Sequence, residues 1–480
     1  MAESTFSPFV AACFTVNYIM GTGFLTLPWA FNNAGIGLSL LALCLVGFIS
    51  DVSKNYVLET MGRAEVLTST NRKGKREDEL DRLVNGQKSQ DPSSILSATV
   101  VGPRKFEVID LCTMFLPPIG ATLYMCALGL YMYGTLWAYT SVFAKACSQA
   151  MPLAQMLGLG DDDYLIYVFI FAAVVVPLTC MELKEQVGIQ VALSICRGLM
   201  VFAIVGSSWM ALSGDPAEGQ FDELGGGSHY DGRWFKWEGV HKMLPIAVFA
   251  NIYHHSIPGL SEPVKDKTKL KYIFGVVFVF GAVAYSSIGT IVAYYFGDEI
   301  NQSANLNWVG YHAGTGHRSA TDGVWEGKAW WVNLIAFYVI VFPATDVISA
   351  FPLNGITLGN NLMSQVYPSK SRGRGEDRDR EEDKKTVTLF RLMGCIPPII
   401  GACFVRDLGK ITDYTGITGF ALAFVFPAVL HLESMKKMQE VGYYVETFYS
   451  MNVFSSVVWA KIIAGFGIFL ICFVLISLSV

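Results

Sequence analysis

Charge is scarce in the long apolar runs of this 480-residue sequence, so the few polar groups inside them are where chemistry can be done. Asp346 stands alone in FPATDVISAFP, and a carboxylate within a run of membrane length is costly enough to mark a functional position. Thr345, Asp346 and Ser349 fall at i, i+1 and i+4, which predicts one helical face offering oxygen ligands to Na⁺. Asn17, in the first apolar run, adds an oxygen from the opposite side, making Asn17, Asp346 and Ser349 a candidate metal set. His254, His255 and Ser256 form a second constellation. A neutral imidazole costs less than an ion at membrane depth and titrates near about pH 6.5, so it can carry or gate a proton. Each has a plainer reading: the histidines as hydrogen-bonded packing groups, and Asp346 in a cytosolic vestibule of a longer helix. Arg197 and Lys145 read as a buried ion pair or as snorkelling side chains before pathway residues, and Tyr131 and Tyr133 read as packing.

The elements that must position these groups carry breaks. Asn17–Phe31 reads NYIMGTGFLTLPWAF, inside an uncharged run from Ser4 to Ser50, with Gly21-Thr22-Gly23 at its centre and Pro28 beyond. Glycines one residue apart weaken a helix where lipid offers no replacement hydrogen bonds, so unwound backbone there must line a cavity or be buried in protein. The alternative is that the glycines serve close helix packing. The sixth apolar run, from Leu244, repeats the pattern with His254-His255-Ser256 followed by Pro258-Gly259. Interrupted segments at corresponding positions of two halves point to a transporter binding site.

Composition sets the class. The chain is 52% apolar and 16% charged, far below the charge content of soluble domains, and apolar runs recur from end to end. The expectation is an all-α polytopic membrane protein of eleven spans, near 8–31, 36–60, 114–148, 164–182, 188–212, 241–262, 271–297, 329–362, 386–405, 411–432 and 454–478. Residues 1–212 would form a first repeat with a polar cytosolic loop at 62–105, and 241–432 a second. An outside loop at 213–240 separates them. The second repeat includes an outside loop at 298–328 and a charged cytosolic linker at 364–385, and 433–480 holds a linker and the last helix. Of 35 Lys and Arg, 24 fall in the segments placed inside, seven in those placed outside and four within helices, which sets the N-terminus in the cytosol and the C-terminus outside. The triplet Asn301-Gln302-Ser303 falls outside, as a glycan acceptor must. The ten cysteines avoid the long outside loops and show no CxxC spacing, so no disulfide framework or metal set is indicated. The first apolar run is too long for a cleaved signal and reads as the first span. No basic aromatic patch suggests nucleic acid, no phosphate-binding glycine loop suggests ATP, and no second catalytic group accompanies the histidines, so an enzyme is not expected.

Six stretches together resemble one family: VNYIMGTGFLTLPWAFNNAG (16–35), FEVID (106–110), LYMYGTLWAY (130–139), HHSIPGLSEPVKDKTKL (254–270), FPATDVISAFPLNGITLGNN (342–361) and DLGKITDYTGITGFALAFVFPA (407–428). The resemblance is to the amino acid/auxin permease family of the amino acid–polyamine–organocation superfamily. It implies a five-plus-five inverted repeat with helices 1 and 6 broken, plus one extra helix. It further implies alternating-access transport of an amino-acid-like small molecule coupled to H⁺ or Na⁺, with no other cofactor. Substrate amino and carboxyl groups would meet exposed backbone of Met20, Gly21, Thr22, Gly23 and Phe24 and of Tyr253, His254, His255 and Ser256. The coupling ion would sit at Asn17, Thr345, Asp346 and Ser349. A transporter-like nutrient sensor signalling through its cytosolic segments remains the alternative, and plasma membrane and vacuole or lysosome both remain open.

Overall fold

The computed structural model describes residues 6–21, 23–80, 100–102, 106–151, 153, 162–181, 187–214, 219–221, 224, 227–318, 325–367, 377–443 and 445–479. The first apolar run folds as two helices, α1 (Pro8–Ile19) and α2 (Gly23–Ala34), bent by 51° at the glycine pair. Pro28 lies inside α2 without ending it. Gly35, at φ +82°, turns the chain into α3 (Ile36–Leu80); a Cβ there would stand 2.6 Å from the Trp234 carbonyl oxygen. Then follow α4 (Val108–Phe115), α5 (Pro118–Ala150), α6 (Asp163–Cys180) and α7 (Val187–Ser213).

The sixth run is also interrupted. After α8 (Val240–Asn251), Ile252 and Tyr253 leave helical geometry, at φ/ψ −88°/124° and −148°/11°. A single 3₁₀ turn, His254–Ser256, leads into α9 (Ile257–Ser261). The break therefore precedes Pro258-Gly259. Pro258 sits in the first turn of α9, where its missing N–H costs no hydrogen bond. The chain continues through α10 (Leu270–Phe296), the short hairpin of β1 (His317–Arg318) and β2 (Trp325–Glu326), and α11 (Trp330–Val366). Then come α12 (Asp377–Phe404), α13 (Leu408–Phe420), a π segment running straight into α14 (Phe426–Glu440), and α15 (Val457–Ser479).

Among the described residues nine helices are long and apolar enough to cross a bilayer, and the bent α1–α2 pair makes a tenth. Large apolar side chains such as Phe169, Phe202, Tyr272 and Phe404 are exposed on the outer surface, as a lipid solvent requires. The chain is a multi-pass helical membrane protein.

Several helices run past the bounds expected from hydropathy, α3 and α12 furthest. The polar stretch expected as a loop from residue 62 continues α3 to Leu80. Lys54 and Arg63, expected in the cytosolic segment, are instead buried along α3, held by Asp51 at 2.6 Å and Glu59 at 2.8 Å. Arg63 also donates to Ser434 Oγ at 3.0 Å and the Val445 carbonyl at 3.0 Å, while Glu59 accepts from Ser450 at 3.0 Å and Ser455 at 2.6 Å. This closed network fixes α3 to α14 and to the segment entering α15. The charged stretch before residue 386 likewise forms the start of α12, at Asp377, and Pro117-Pro118 mark the start of α5.

Packing separates two groups of helices. α5, α6, α11 and α12 pack on one another, as do α2, α3, α8 and α10. α7 touches α1, α10 and α11, and α13 touches α5 and α8, so these two connect the groups. The breaks of both interrupted segments fall where the groups meet.

Candidate functional site

A helix end leaves carbonyls without intrahelical partners, and in a membrane each must be satisfied by protein. Two side chains do this at the breaks. The Tyr285 hydroxyl lies 3.1 Å from the Ile19 carbonyl oxygen and 2.8 Å from that of Ala250, donating between the last turns of α1 and α8. Arg197 Nη1 donates to the Val16 carbonyl at 3.0 Å. Both place a donor where the helix dipole is negative.

Beyond the break, the glycines allow direct contact. A Cβ on Gly23 would stand 3.0 Å from Ala250 Cα and 3.0 Å from Phe249 Cδ1, and one on Gly21 would stand 2.6 Å from Tyr139 Oη. The start of α2 thus lies on the end of α8, and the tyrosine of α5 reaches the exposed backbone of the first break. Asn354 Nδ2 of α11 donates to Tyr139 Oη at 3.4 Å. His255 completes this polar wall: it is buried, its ring centroid lies 5.4 Å from that of Tyr131, and among the described residues neither ring nitrogen has a partner in good hydrogen-bonding geometry. The Tyr253 and Ser256 hydroxyls are also buried, with no partner in good hydrogen-bonding geometry among the described residues. An unpaired buried polar group costs about 1–3 kcal/mol, so this cluster of orphaned groups at two facing breaks is where a polar ligand is best received.

The histidine pair divides its work. His254 Nε2 meets the Ser50 carbonyl at 2.9 Å, which anchors the 3₁₀ turn to α3, while His255 faces Tyr131 of α5. Beneath Tyr253 lies a cavity of ≈10 Å³, about the room of one water, lined by Ile19, Ser50, Asp51, Asn251, Tyr253, Val277, Phe278 and Gly281. Met20 and Phe24 are buried beside the first break, and Thr22 lies outside the described residues.

The lone acid of α11 has a partner. Arg197 Nη2 and Asp346 Oδ2 form a fully buried ion pair between α7 and α11. Arg197 Nη1 also donates to Asn17 Oδ1 at 2.9 Å, and the Asn17 amide donates to the Gln190 carbonyl at 2.8 Å and to Gln190 Oε1 at 2.7 Å. Asn17, Arg197 and Asp346 are therefore one network across α1, α7 and α11. Thr345 and Ser349 are not in it. Thr345 is exposed and donates to the Phe342 carbonyl at 2.8 Å, and Ser349 donates to the Asp346 carbonyl at 2.9 Å. The i, i+1, i+4 spacing overstates their common face, because one residue of helix turns a side chain by about 100°. Of the other residues weighed, Tyr131 touches His255, whereas Tyr133 donates to the Met393 carbonyl at 2.9 Å, away from the site.

Hydrogen bonds tie neighbouring segments together at both ends of the molecule. At the end carrying the hairpin, Lys236 donates to the Asn32 carbonyl at 2.8 Å, Lys242 to Asn33 Oδ1 at 3.0 Å and Asn32 to Asp298 at 2.8 Å. At the other, the Phe6 N–H donates to the Pro263 carbonyl at 2.7 Å.

A broken pair of helices facing each other across two helical groups is a transporter arrangement, and comparison with known proteins agrees. The sequence profile of the family described as transmembrane amino acid transporter protein matches residues 4–472. The chain belongs to this family. It is 23% identical over 474 residues to the transmembrane protein 104 homolog of Dictyostelium discoideum, covering 91% of this chain and 90% of that protein. It is 23% identical over 465 residues to transmembrane protein 104 of Homo sapiens, covering 88% and 87%. Among solved structures it is similar to Mhp1 in its inward-facing conformation, with TM-score 0.56 and 12% identity over 99% of this chain and 89% of that one. It is also similar to a Na⁺-coupled sialic acid symporter in a substrate-bound outward-open state, with TM-score 0.55 and 10% identity over 98% and 90%. At such identities the likeness establishes the fold.

Tyr139, Tyr285, Asn354 and Gln190 are the site residues that sequence reading passes over. Each is an uncharged polar residue in an apolar run, a type also found merely packed. The signal that was available is Arg197: a mid-span cation needs an anion, and Asp346 is the lone acid of α11.

Proposed function

We propose that this chain is a secondary active transporter of amino acids or related small solutes, driven by a cation gradient. The observation that carries the reading is the meeting of the two helix breaks inside a wall of buried polar groups, Tyr139, His255, Ser256 and Asn354. The start of α2 offers N–H groups with the positive end of a helix dipole, suited to a substrate carboxylate. The ends of α1 and α8 offer carbonyls, suited to an amino group. Met20–Phe24 and Tyr253–Ser256 are the proposed substrate contacts, and the Asn17–Arg197–Asp346 network is the proposed coupling element.

In this reading the chain has eleven spans, α8 with the turn and α9 forming the sixth, and residues 1–212 and 241–432 are inverted repeats. α1–α3 and α8–α10 rock against α5, α6, α11 and α12, with α7 and α13 as the flexible connections, and the contacts at the two ends open in turn. The N-terminus is cytosolic, and the hairpin end with Asn301 lies outside or in a lumen. The test is uptake of labelled amino acids into proteoliposomes under imposed H⁺ or Na⁺ gradients. Uptake above that of protein-free liposomes and driven by one gradient supports the reading; ligand binding without flux under any gradient replaces it with a sensor.

A further inference from the structure

The oxygen set expected to hold Na⁺ is already engaged by a side chain. Asn17 Oδ1, the Val16 carbonyl and Asp346 Oδ2 all accept hydrogen bonds from the one Arg197 guanidinium, at 2.9 Å and 3.0 Å for the first two. Asn17 cannot turn its oxygen elsewhere without breaking the two bonds its amide makes to Gln190. Thr345 is exposed, and the Ser349 hydroxyl is spent on the Asp346 carbonyl. Among the described residues, Asp346 Oδ1 is the buried oxygen of this set that has no partner. One oxygen does not make a shell for a hard cation, which takes several. A second positive charge would also sit against the guanidinium in a buried site, where repulsion is strongest. These residues do not fit Na⁺.

We propose that Arg197 is a resident cation of the α1–α11 junction and that no sodium binds between Asn17 and Asp346. The proposal rests on the transporter reading for its meaning, because it takes this junction out of any sodium coupling. It rests on geometry alone for its substance. A guanidinium tethered to α7 supplies the positive charge that joins α1 to α11, and it cannot leave down a gradient. α7 contacts α1, α10 and α11, so the same side chain carries any strain between the two helical groups.

The test uses the purified full-length chain and ²²Na⁺ as probe, with choline as the replacement ion. No saturable ²²Na⁺ binding is expected, or binding that is unchanged in Asp346→Asn. Saturable binding abolished in a folded Asp346→Asn protein overturns the proposal. If that variant does not fold, thermal unfolding of the unmodified chain in NaCl, KCl and choline chloride at equal ionic strength decides. Equal unfolding temperatures are expected, and stabilisation specific to Na⁺ overturns the proposal. These readouts need no substrate, so they are separable from failure of the transport assay.

Discussion

A side-chain carbon on Gly21 would stand 2.6 Å from the hydroxyl oxygen of Tyr139, and only 3.4 Å from the nearest ring carbons. The clash is thus with the hydroxyl alone, since the ring distance is ordinary contact. Gly21→Ala is expected to abolish uptake and lower thermal stability, and Gly21→Leu to do so more severely. In a Tyr139→Phe background, Gly21→Ala is expected to regain most of the stability, measured by thermal unfolding in detergent. If Tyr139→Phe gives no rescue, the close approach is not what requires a glycine there.

Tyr285 makes a second prediction. Its hydroxyl serves carbonyls on both interrupted helices, and Tyr285→Phe leaves two buried acceptors without that donor. Each orphaned group costs about 1–3 kcal/mol. The variant is expected to unfold at lower temperature and to bind substrate at least tenfold more weakly, because the two breaks lose their common anchor. Unchanged substrate affinity would show that the breaks hold their relative position without Tyr285.

Much of this was legible beforehand, for physical reasons that differ by feature. Gly21, Gly23 and Asp346 announce themselves because the membrane makes an unwound turn or a carboxylate costly. The second break lies in the expected span but earlier in it: Pro258-Gly259 looks like a helix breaker, yet the chain leaves helical geometry at Ile252–Tyr253, which have no breaking residue. Tertiary packing against Gly23 and Tyr285 decides that position, and packing is not written in local propensity. The Thr345–Asp346–Ser349 face dissolved because hydroxyls return to their own helix carbonyls, which spacing cannot reveal. The α3 extension was hidden by charge: Lys54 and Arg63 look solvated until Asp51 and Glu59 are seen one turn away.

The Arg197–Asp346 pair predicts strong non-additivity. Removing one partner leaves a buried, uncompensated charge, at a cost of about 3–5 kcal/mol. Arg197→Met and Asp346→Leu are each expected to destabilise the chain by about this much. The double variant removes both charges and is expected to lose less than the sum, with a coupling of about 0.5–3 kcal/mol or more in a double-mutant cycle. Additive losses would mean that the two groups do not depend on each other. Arg197 also serves Val16 and Asn17, so the double variant is not expected to match the parent chain.

The last prediction concerns the hairpin end, where Asp231 ties the loop before α8 to the α2–α3 turn. Its carboxylate accepts from Arg233 Nε and Lys236 Nζ, both at 2.9 Å, and Lys236 in turn reaches the Asn32 carbonyl. Burial pushes the Asp231 pKa up, but the hydrogen bonds from Lys236 and Arg233 outweigh it and bring the group down to about 2. A carboxyl depressed below its unfolded value of about 3.9 contributes stability that is complete above that value and is lost as pH falls through the folded one. The strap is therefore expected to hold at both pH 7 and pH 5, so acidification across that range does not release it. The difference in unfolding temperature between the parent chain and Asp231→Asn is expected to stay constant between pH 7 and pH 5, and to shrink from about pH 4 toward pH 2. A difference that already collapses between pH 7 and pH 5 would place the titrating group elsewhere, and would make this end of the molecule responsive to the acidity of a vacuole or lysosome.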